Sequence, residues 1–390
     1  MNSQIKIDIK GNKSCKCFKR CGGCQLDMPY EQQLEWKQSK AERMLSRFAE
    51  VKPILAMDNP YNYRNKVQTV LRLNQHKQIV SGVYQSSSKT MVTVDDCMLE
   101  AVESQKIVAV IKKLMKSFKL IPFNERSGKG HIRHILVRTA KSTGQVMVCI
   151  VTPSPVFPSK NNFAKTLKKE CPEITTIVQN ICNNPMPLTL GERENILYGK
   201  GYIEDILCGC RFRISSKSFY QVNHVQTQKL YSIALSEARL NRKDTVIDAY
   251  CGIGTIGIIC ASHVKKVMGT ELNKSACKDA VYNAKLNNLD NISFSNCDAG
   301  MFMEELAQKG GRVDVVIMDP PRAGADKRFL VSLSKLAPSR VVYISCKIET
   351  LERDLKVLKR FGYKARSVQP VDMFPHTTGI ETVVVLKKVN

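Results

Sequence analysis

From Ser216 to the carboxyl terminus, apolar runs of strand length alternate with segments of helical pattern. The runs DTVIDAY, KVMGTEL, DVVIMDP, RVVYIS and TVVVLKK are nearly continuous in apolar residues, as strands buried on both faces must be. Strands separated by helices are joined by crossovers, and crossovers put helices on both faces of a mostly parallel sheet. A doubly wound α/β domain over 216–390 is the expected result.

Upstream the pattern changes. Between Pro53 and Phe212 the short runs KQIVSGVYQ, KTMVTV, HIRHILVRTA and QVMVCIVT are broken by Gly, Asn and Pro, with helical stretches near 100–118 and 160–170. This predicts an α+β domain rich in antiparallel strands. The segment YEQQLEWKQSKAERMLSRF places Leu34, Ala41, Met44, Leu45 and Phe48 at helical spacing, with charges on the other face. The expected organisation is 1–26 with 59–215 as one domain, a helix in 27–58 packed on the other, and 216–390 as the second. No internal repeat or low-complexity tract is present.

The loop after the first strand of the second domain, VIDAYCGIGTIG, contains Gly252, Gly254 and Gly257 in GxGxxG spacing. A nicotinamide-binding turn usually follows its apolar strand directly, whereas here Asp248 and Cys251 intervene. That form suits S-adenosylmethionine, whose cationic groups call for a carboxylate beside the turn. Glu271 closes the next strand, where a carboxylate can accept both ribose hydroxyls. Asp298 and Asp319 follow the third and fourth strands. Any one of these acids is also a good helix cap; four at successive strand ends point to a shared pocket.

Composition bears on the partner. Lys and Arg outnumber Asp and Glu 60 to 35, a net charge of +25, which favours a polyanion such as nucleic acid. Basic residues gather at Lys16, Lys19 and Arg20, in Tyr63–Lys66 and in 126–134, with Phe18, Tyr61 and Tyr63 as bases' stacking candidates. No eighteen-residue apolar run or signal-peptide core appears. A cytoplasmic protein without membrane attachment is expected, and a monomer.

The stretch CKCFKRCGGCQ holds Cys15, Cys17, Cys21 and Cys24. Most of the 15 cysteines are scattered in apolar surroundings and read as reduced core residues, but this group calls for a ligand. Zinc, a closed iron–sulfur cluster and a catalytic cluster are all open on spacing alone; Cys17, Cys21 and Cys24 have the spacing of radical S-adenosylmethionine enzymes.

The segments SFYQVN, DAYCGIGT, DPPR, YISCKIETLERDL and DMFPHTTGIE occur in the order seen in the uracil-C5 RNA methyltransferases. The chain resembles the iron–sulfur-bearing bacterial enzymes that make 5-methyluridine in 23S rRNA, from Cys15 to Glu381. The resemblance implies a class I methyltransferase domain plus a central α+β domain carrying a [4Fe–4S] cluster on Cys15, Cys21, Cys24 and Cys97, with Cys17 a bystander. It implies Cys346 as a nucleophile adding to C6 of the uracil, with Lys347 beside it as a possible source of charge. Glu381 is the implied base for the C5 proton, Asp319 stands between cofactor and uracil, and Gln221, Tyr250, Thr255, Glu271 and Asp298 line the cofactor pocket. Family members often carry an amino-terminal RNA-binding barrel, for which this sequence has no room. Lys347-Ile348 and Gly379-Ile380 stand where the family usually has Asn-Pro and His-Val. A tRNA target, a radical enzyme and a non-catalytic RNA-binding protein are the alternatives.

Overall fold

The apolar runs of the second half become one seven-stranded sheet in the computed structural model, which describes residues 5–7, 13–85, 88, 90–184, 186 and 188–389. The backbone divides into two units, 1–27 with 60–206 and 213–217, and 28–59 with 207–212 and 218–390. Elements of the second unit are numbered within it. Strands β1 (Thr245–Ala249), β2 (Lys266–Thr270), β3 (Ile292–Ser295), β4 (Val315–Met318) and β5 (Arg340–Ser345) are parallel. β7 (Glu381–Lys388) enters between β5 and β6 (Tyr363–Val371), antiparallel to both, so the order is β3-β2-β1-β4-β5-β7-β6. The alternation pattern does not show this reversal: β6 and β7 are joined without a crossover helix, and an antiparallel pair needs none.

The helices are α1 (Tyr30–Leu45), α2 (His224–Ala238), α3 (Thr255–Ala261), α4 (Lys274–Leu286), α5 (Ala299–Gln308), α6 (Lys327–Leu336) and α7 (Ile348–Arg360). Side-chain oxygens of Asn223, Asn273, Asp298 and Asp326 accept from first-turn amides and start α2, α4, α5 and α6. A continuous core joins Ile247, Val316, Val341 and Tyr343 of the sheet to Leu351 and Leu355 of α7 and to Ala41 and Leu45 of α1.

Helix α1 departs from its sequence pattern. Its fully buried stripe is Gln33, Lys37, Ala41 and Leu45, one residue every four, while Leu34 is only half-buried. An apolar count assigns Lys37 to solvent; the helix turns it inward because a carboxylate waits there, as described below.

The other unit is built on a second seven-stranded sheet, in the order Met91–Thr93, Ile79–Tyr84, Lys66–Leu73, His134–Thr139, Val146–Thr152, Ile174–Ile181, Arg193–Tyr198. All neighbours are antiparallel except Val146–Thr152 and Ile174–Ile181, which are linked across helix Lys160–Glu170. That helix and Val102–Ser117 cover one face, packing Ile107, Ile111, Phe163 and Leu167 on Ile135, Val137, Val148 and Ile177.

At the β1–α3 turn, Gly254 has φ 83 and Gly257 donates its N–H to Asp248 Oδ2 at 2.7 Å. A Cβ on Gly257 would lie 2.8 Å from that oxygen. Gly257→Ala is therefore expected to lower stability by about 1–3 kcal/mol, read as a drop in thermal unfolding midpoint.

Candidate active site

The carboxyl ends of β1, β2, β4 and β5 and the start of β7 bring the acids and Cys346 to one edge of the sheet. Asp248, inside β1, is buried; its Oδ2 takes the Gly257 amide and its Oδ1 has no partner among the described residues. Burial, opposed by that amide and aided by the nearby Asp319 and Glu271, raises its pKa to about 7. Glu271, just past β2, accepts from Gly252 N at 3.0 Å and Asn273 N at 2.6 Å. Each oxygen keeps a lone pair for a further donor. Asp298 is half-buried and caps α5 through Met301 N at 3.0 Å, so it does have the structural role that its position also suggested. Tyr250 sits at φ 63, a left-handed conformation unusual for a side chain of its size. Its hydroxyl is buried without a partner among the described residues, and its ring lies 5.4 Å from that of Phe329. Gln221 is buried and Thr255, the first residue of α3, is half-buried.

Cys346 follows β5 and Glu381 opens β7. Ser345 pairs with Thr382 across the antiparallel ladder, which sets Cys346 and Glu381 side by side. The thiol is pushed up to about 11 by burial and by the carboxyls of Glu381 and Asp319, with Arg322 acting in the opposite sense. Asp319, at the end of β4, is raised to about 7 by burial. Glu381 is held well above the ordinary carboxyl range by burial and by Asp319, again opposed by Arg322. Both Glu381 oxygens are buried without partners among the described residues. The cation acting on the thiol is thus Arg322 of DPPR, not the adjacent Lys347, which is exposed and precedes α7 as its cap residue.

Three further residues shape this edge and escaped the sequence reading. Tyr231 of α2 is buried, shares a hydrogen bond with Thr255, and is close enough to Asp319, Asp248 and Glu381 for their charge to hold its phenol protonated after burial has done most of that work. Only its place in the helix that follows SFYQVN hinted at a role. Asp354 of α7 is buried and anchors the loop carrying Arg322, accepting from Ala325 N at 2.9 Å and the Tyr343 hydroxyl at 2.7 Å. Phe219, two residues before Gln221, is 65% exposed.

The cysteine site lies in the other unit. Cys15, Cys21, Cys24 and Cys97 are half-buried free thiols. Charge on Cys15 and Cys21 is felt at Cys24, and charge on Cys24 at Cys97, so the four form one electrostatic group. Burial raises Cys24 and Cys97 to about 12, while Arg64 acts to lower Cys21 and Cys24. Backbone amides point at the sulfurs: Cys17 N at 3.4 Å from Cys15 Sγ, Gly23 at Cys21, and Leu99 and Glu100 at Cys97. Cys17 itself is buried and directs its thiol to Thr93 O at 3.7 Å. Among the described residues no group of three or more His, Cys, Asp or Glu is placed to hold a metal ion.

The basic segments are only partly what their sequence suggested. Arg126 and Lys129 are exposed, but Arg133 is buried against Cys182 O and the Phe123 ring, and burial lowers His134 to about 4, leaving it neutral. Lys66 stands opposite Arg138 across the ladder, and burial with that like charge lowers it to about 8. Tyr63 is buried and cannot stack on a base as it stands. No helix among the described residues is long and apolar enough to cross a membrane.

A sheet of order 3-2-1-4-5-7-6 with acids at successive strand ends and a glycine turn after the first strand defines a class I S-adenosylmethionine-dependent methyltransferase. The family described as tRNA (Uracil-5-)-methyltransferase matches residues 29–389. The chain is 39% identical to an uncharacterized RNA methyltransferase of Halalkalibacterium halodurans over 96% of its own length and 83% of the relative's. It is 40% identical to one of Listeria monocytogenes over 95% and 83%. The crystal structure of Pyrococcus abyssi tRNA (uracil-54, C5)-methyltransferase in complex with S-adenosyl-L-homocysteine superposes with a TM-score of 0.78 at 27% identity, covering 99% of this chain and 92% of that one. The protein belongs to the RNA uracil-C5 methyltransferase family and is an S-adenosylmethionine-dependent RNA methyltransferase.

The raised carboxyls give a pH dependence of definite sign. Asp248 and Asp319 hold protons in the folded state that the unfolded chain, with carboxyls near 3.8, has released. The stability they contribute is complete below about pH 4 and is lost as pH rises through about 7. The ligand-free protein should melt at falling temperature across that window. Asp248→Asn should flatten the slope and raise the melting temperature at pH 7.5, while S-adenosylmethionine affinity measured by calorimetry falls at least about tenfold.

Proposed function

We propose that this protein methylates C5 of a uridine in 23S ribosomal RNA, with Cys346 as nucleophile and Glu381 as the base that completes the reaction. The observation that carries this reading is the meeting of Cys346, Asp319 and Glu381 at one sheet edge, with both Glu381 oxygens buried and unpartnered among the described residues. Orphaned buried oxygens need donors, and a cationic cofactor and a uracil ring supply them. Bound S-adenosylmethionine would provide an electrophilic methyl group, held by Gln221, Tyr250, Thr255, Glu271 and Asp298, with Asp248 and Asp319 near its positive charge.

The chemistry of this chain's residues then follows from their ionisation. A thiol titrating at about 11 is protonated by about 10⁴ to one at pH 7, so no standing thiolate attacks. Its proton must leave as sulfur bonds to C6, and the Asp319 carboxylate, titrating at about 7, is the acceptor at hand. The C5–C6 π pair moves toward C4 as an enolate, and C5 takes the methyl group. Glu381 acts in its ionised form: as a carboxylate it removes the C5 proton, the electron pair restores the C5–C6 double bond, and Cys346 is expelled as thiolate and takes its proton back from Asp319. Arg322 stabilises negative charge on Cys346 and Glu381. The target must be single-stranded or flipped out of its helix, and the exposed Phe219 ring offers a stacking face.

A [4Fe–4S] cluster on Cys15, Cys21, Cys24 and Cys97 belongs to the same reading. The amides directed at these sulfurs suit thiolate ligands, since hydrogen bonds to sulfur are part of how proteins tune such clusters. Cβ-free Gly23 leaves room beside Cys21 Sγ, where a Cβ would come to 3.3 Å. A four-iron cluster takes one thiolate per iron, so its ligands stand wider apart than those of a single ion. Cys17, buried and turned to Thr93 O, fits a bystander rather than the first ligand of a radical enzyme. Transfer RNA is the second reading, favoured by the Pyrococcus abyssi structure, which is named for tRNA uracil-54.

The test is anaerobic purification followed by incubation with methyl-labelled S-adenosylmethionine and unmodified ribosomal or transfer RNA, then nucleoside mass spectrometry. The wild type is expected to give 5-methyluridine in ribosomal RNA, and Cys346→Ala none. Label in transfer RNA alone would move the target to the second reading, and no 5-methyluridine in either would overturn the mechanism. Iron analysis should show loss of cluster in Cys15→Ser and retention in Cys17→Ser; the reverse would favour radical chemistry.

A further inference from the structure

The loop that delivers Glu381 is tied down by a helix from the opposite end of the unit's sequence. Asp372 directly follows Val371, the residue registered against Glu381. Its carboxylate is fully buried and receives two bonds, from Lys37 Nζ to Oδ1 at 2.5 Å and from the Tyr30 hydroxyl to Oδ2 at 2.7 Å. Lys37, also fully buried, donates again to Phe374 O at 3.0 Å. Gln33 brackets His376, meeting its Nδ1 at 3.1 Å and accepting from its backbone N at 2.8 Å. From α2, Asn223 donates to Met373 O at 2.9 Å and Gln226 to Asp372 O at 3.0 Å. Residues 372, 373, 374 and 376 are thus each held, by side chains of α1 and the start of α2.

Stability alone does not call for charges here. Desolvating two ions commonly offsets their attraction, and well-packed apolar residues of similar volume often do as well or better. Burial works against the Lys37 ammonium, and only Asp372 counteracts it. What charge-assisted hydrogen bonds supply and apolar contacts do not is direction. Apolar packing would let the loop slide; this network allows it one path, and that path ends at Glu381.

We propose that Lys37, Tyr30 and Asp372 are positioning residues for methyl transfer, fixing segment 372–380 so that Glu381 meets the C5 proton. The inference rests on Glu381 being the base, as proposed above. Its distinguishing consequence is kinetic: nucleophile addition and methyl transfer do not need Glu381 in place, whereas proton removal does. A displaced base leaves methylated RNA attached to Cys346.

The decisive variant is Lys37→Met with Asp372→Asn, which removes both charges at similar volume and strands neither; Tyr30→Phe is a gentler companion. Each is assayed by thermal melting, by single-turnover methylation, and by denaturing gel for a methyl-labelled protein–RNA adduct, with Glu381→Gln as the control. The double variant is expected to melt near the wild-type temperature, to release product about 10²-fold more slowly, and to accumulate labelled adduct with KM for S-adenosylmethionine unchanged. Tyr30→Phe should show a smaller lag of the same kind and decides the question if the double variant does not fold. Near-normal release, or lost activity without adduct, while Glu381→Gln does trap adduct, would overturn the positioning role. If Glu381→Gln traps none, the base assignment itself fails and takes the positioning role with it.

Discussion

Burying a carboxyl group without enough partners is unfavourable, and the active edge of this protein does so repeatedly. Asp248, Asp319 and Glu381 are each driven toward their neutral forms by the absence of water around them. The surrounding structure is arranged to sustain this. Gly257 lacks a Cβ so that its amide can reach Asp248, Asp354 anchors the loop after Asp319, and the α1 network holds the approach to Glu381. A relaxed protein would solvate these groups; this one keeps them dry, with the raised pKa values that cluster at functional sites.

The sheet, the glycine turn and the acids after each strand were legible because they follow from local rules. Continuous apolar runs mean strands covered on both faces, and a carboxylate after a parallel strand faces the ligand edge. The antiparallel entry of β7 was not legible, since TVVVLKK reads the same in either direction. Nor was the inward turn of Lys37. Its burial depends on Asp372, and no periodicity in YEQQLEWKQSK encodes a partner that far away. The same reason hides Tyr231 and Asp354, whose importance lies in which distant groups they meet.

Charge was the least reliable guide. A net +25 predicts a polyanionic partner correctly in kind, yet Arg133 and His134 of the most basic segment are interior residues, and Arg64 of YRNK lies beside the cysteines. Composition counts charges without saying which of them meet water. The cysteines differ in surroundings where spacing alone left them equivalent: the Cys17 thiol is directed to Thr93 O and the Cys17 amide to Cys15 Sγ.

The 335 positions between Lys37 and Asp372 also have a consequence for synthesis. At about 5–20 residues per second, α1 leaves the ribosome about 20–70 s before its partner exists. Residues 60–206, which contain their own core, emerge entire within that interval. Segment 28–59 must wait, and the buried stripe it will later present is half polar, Gln33 and Lys37 beside Ala41 and Leu45.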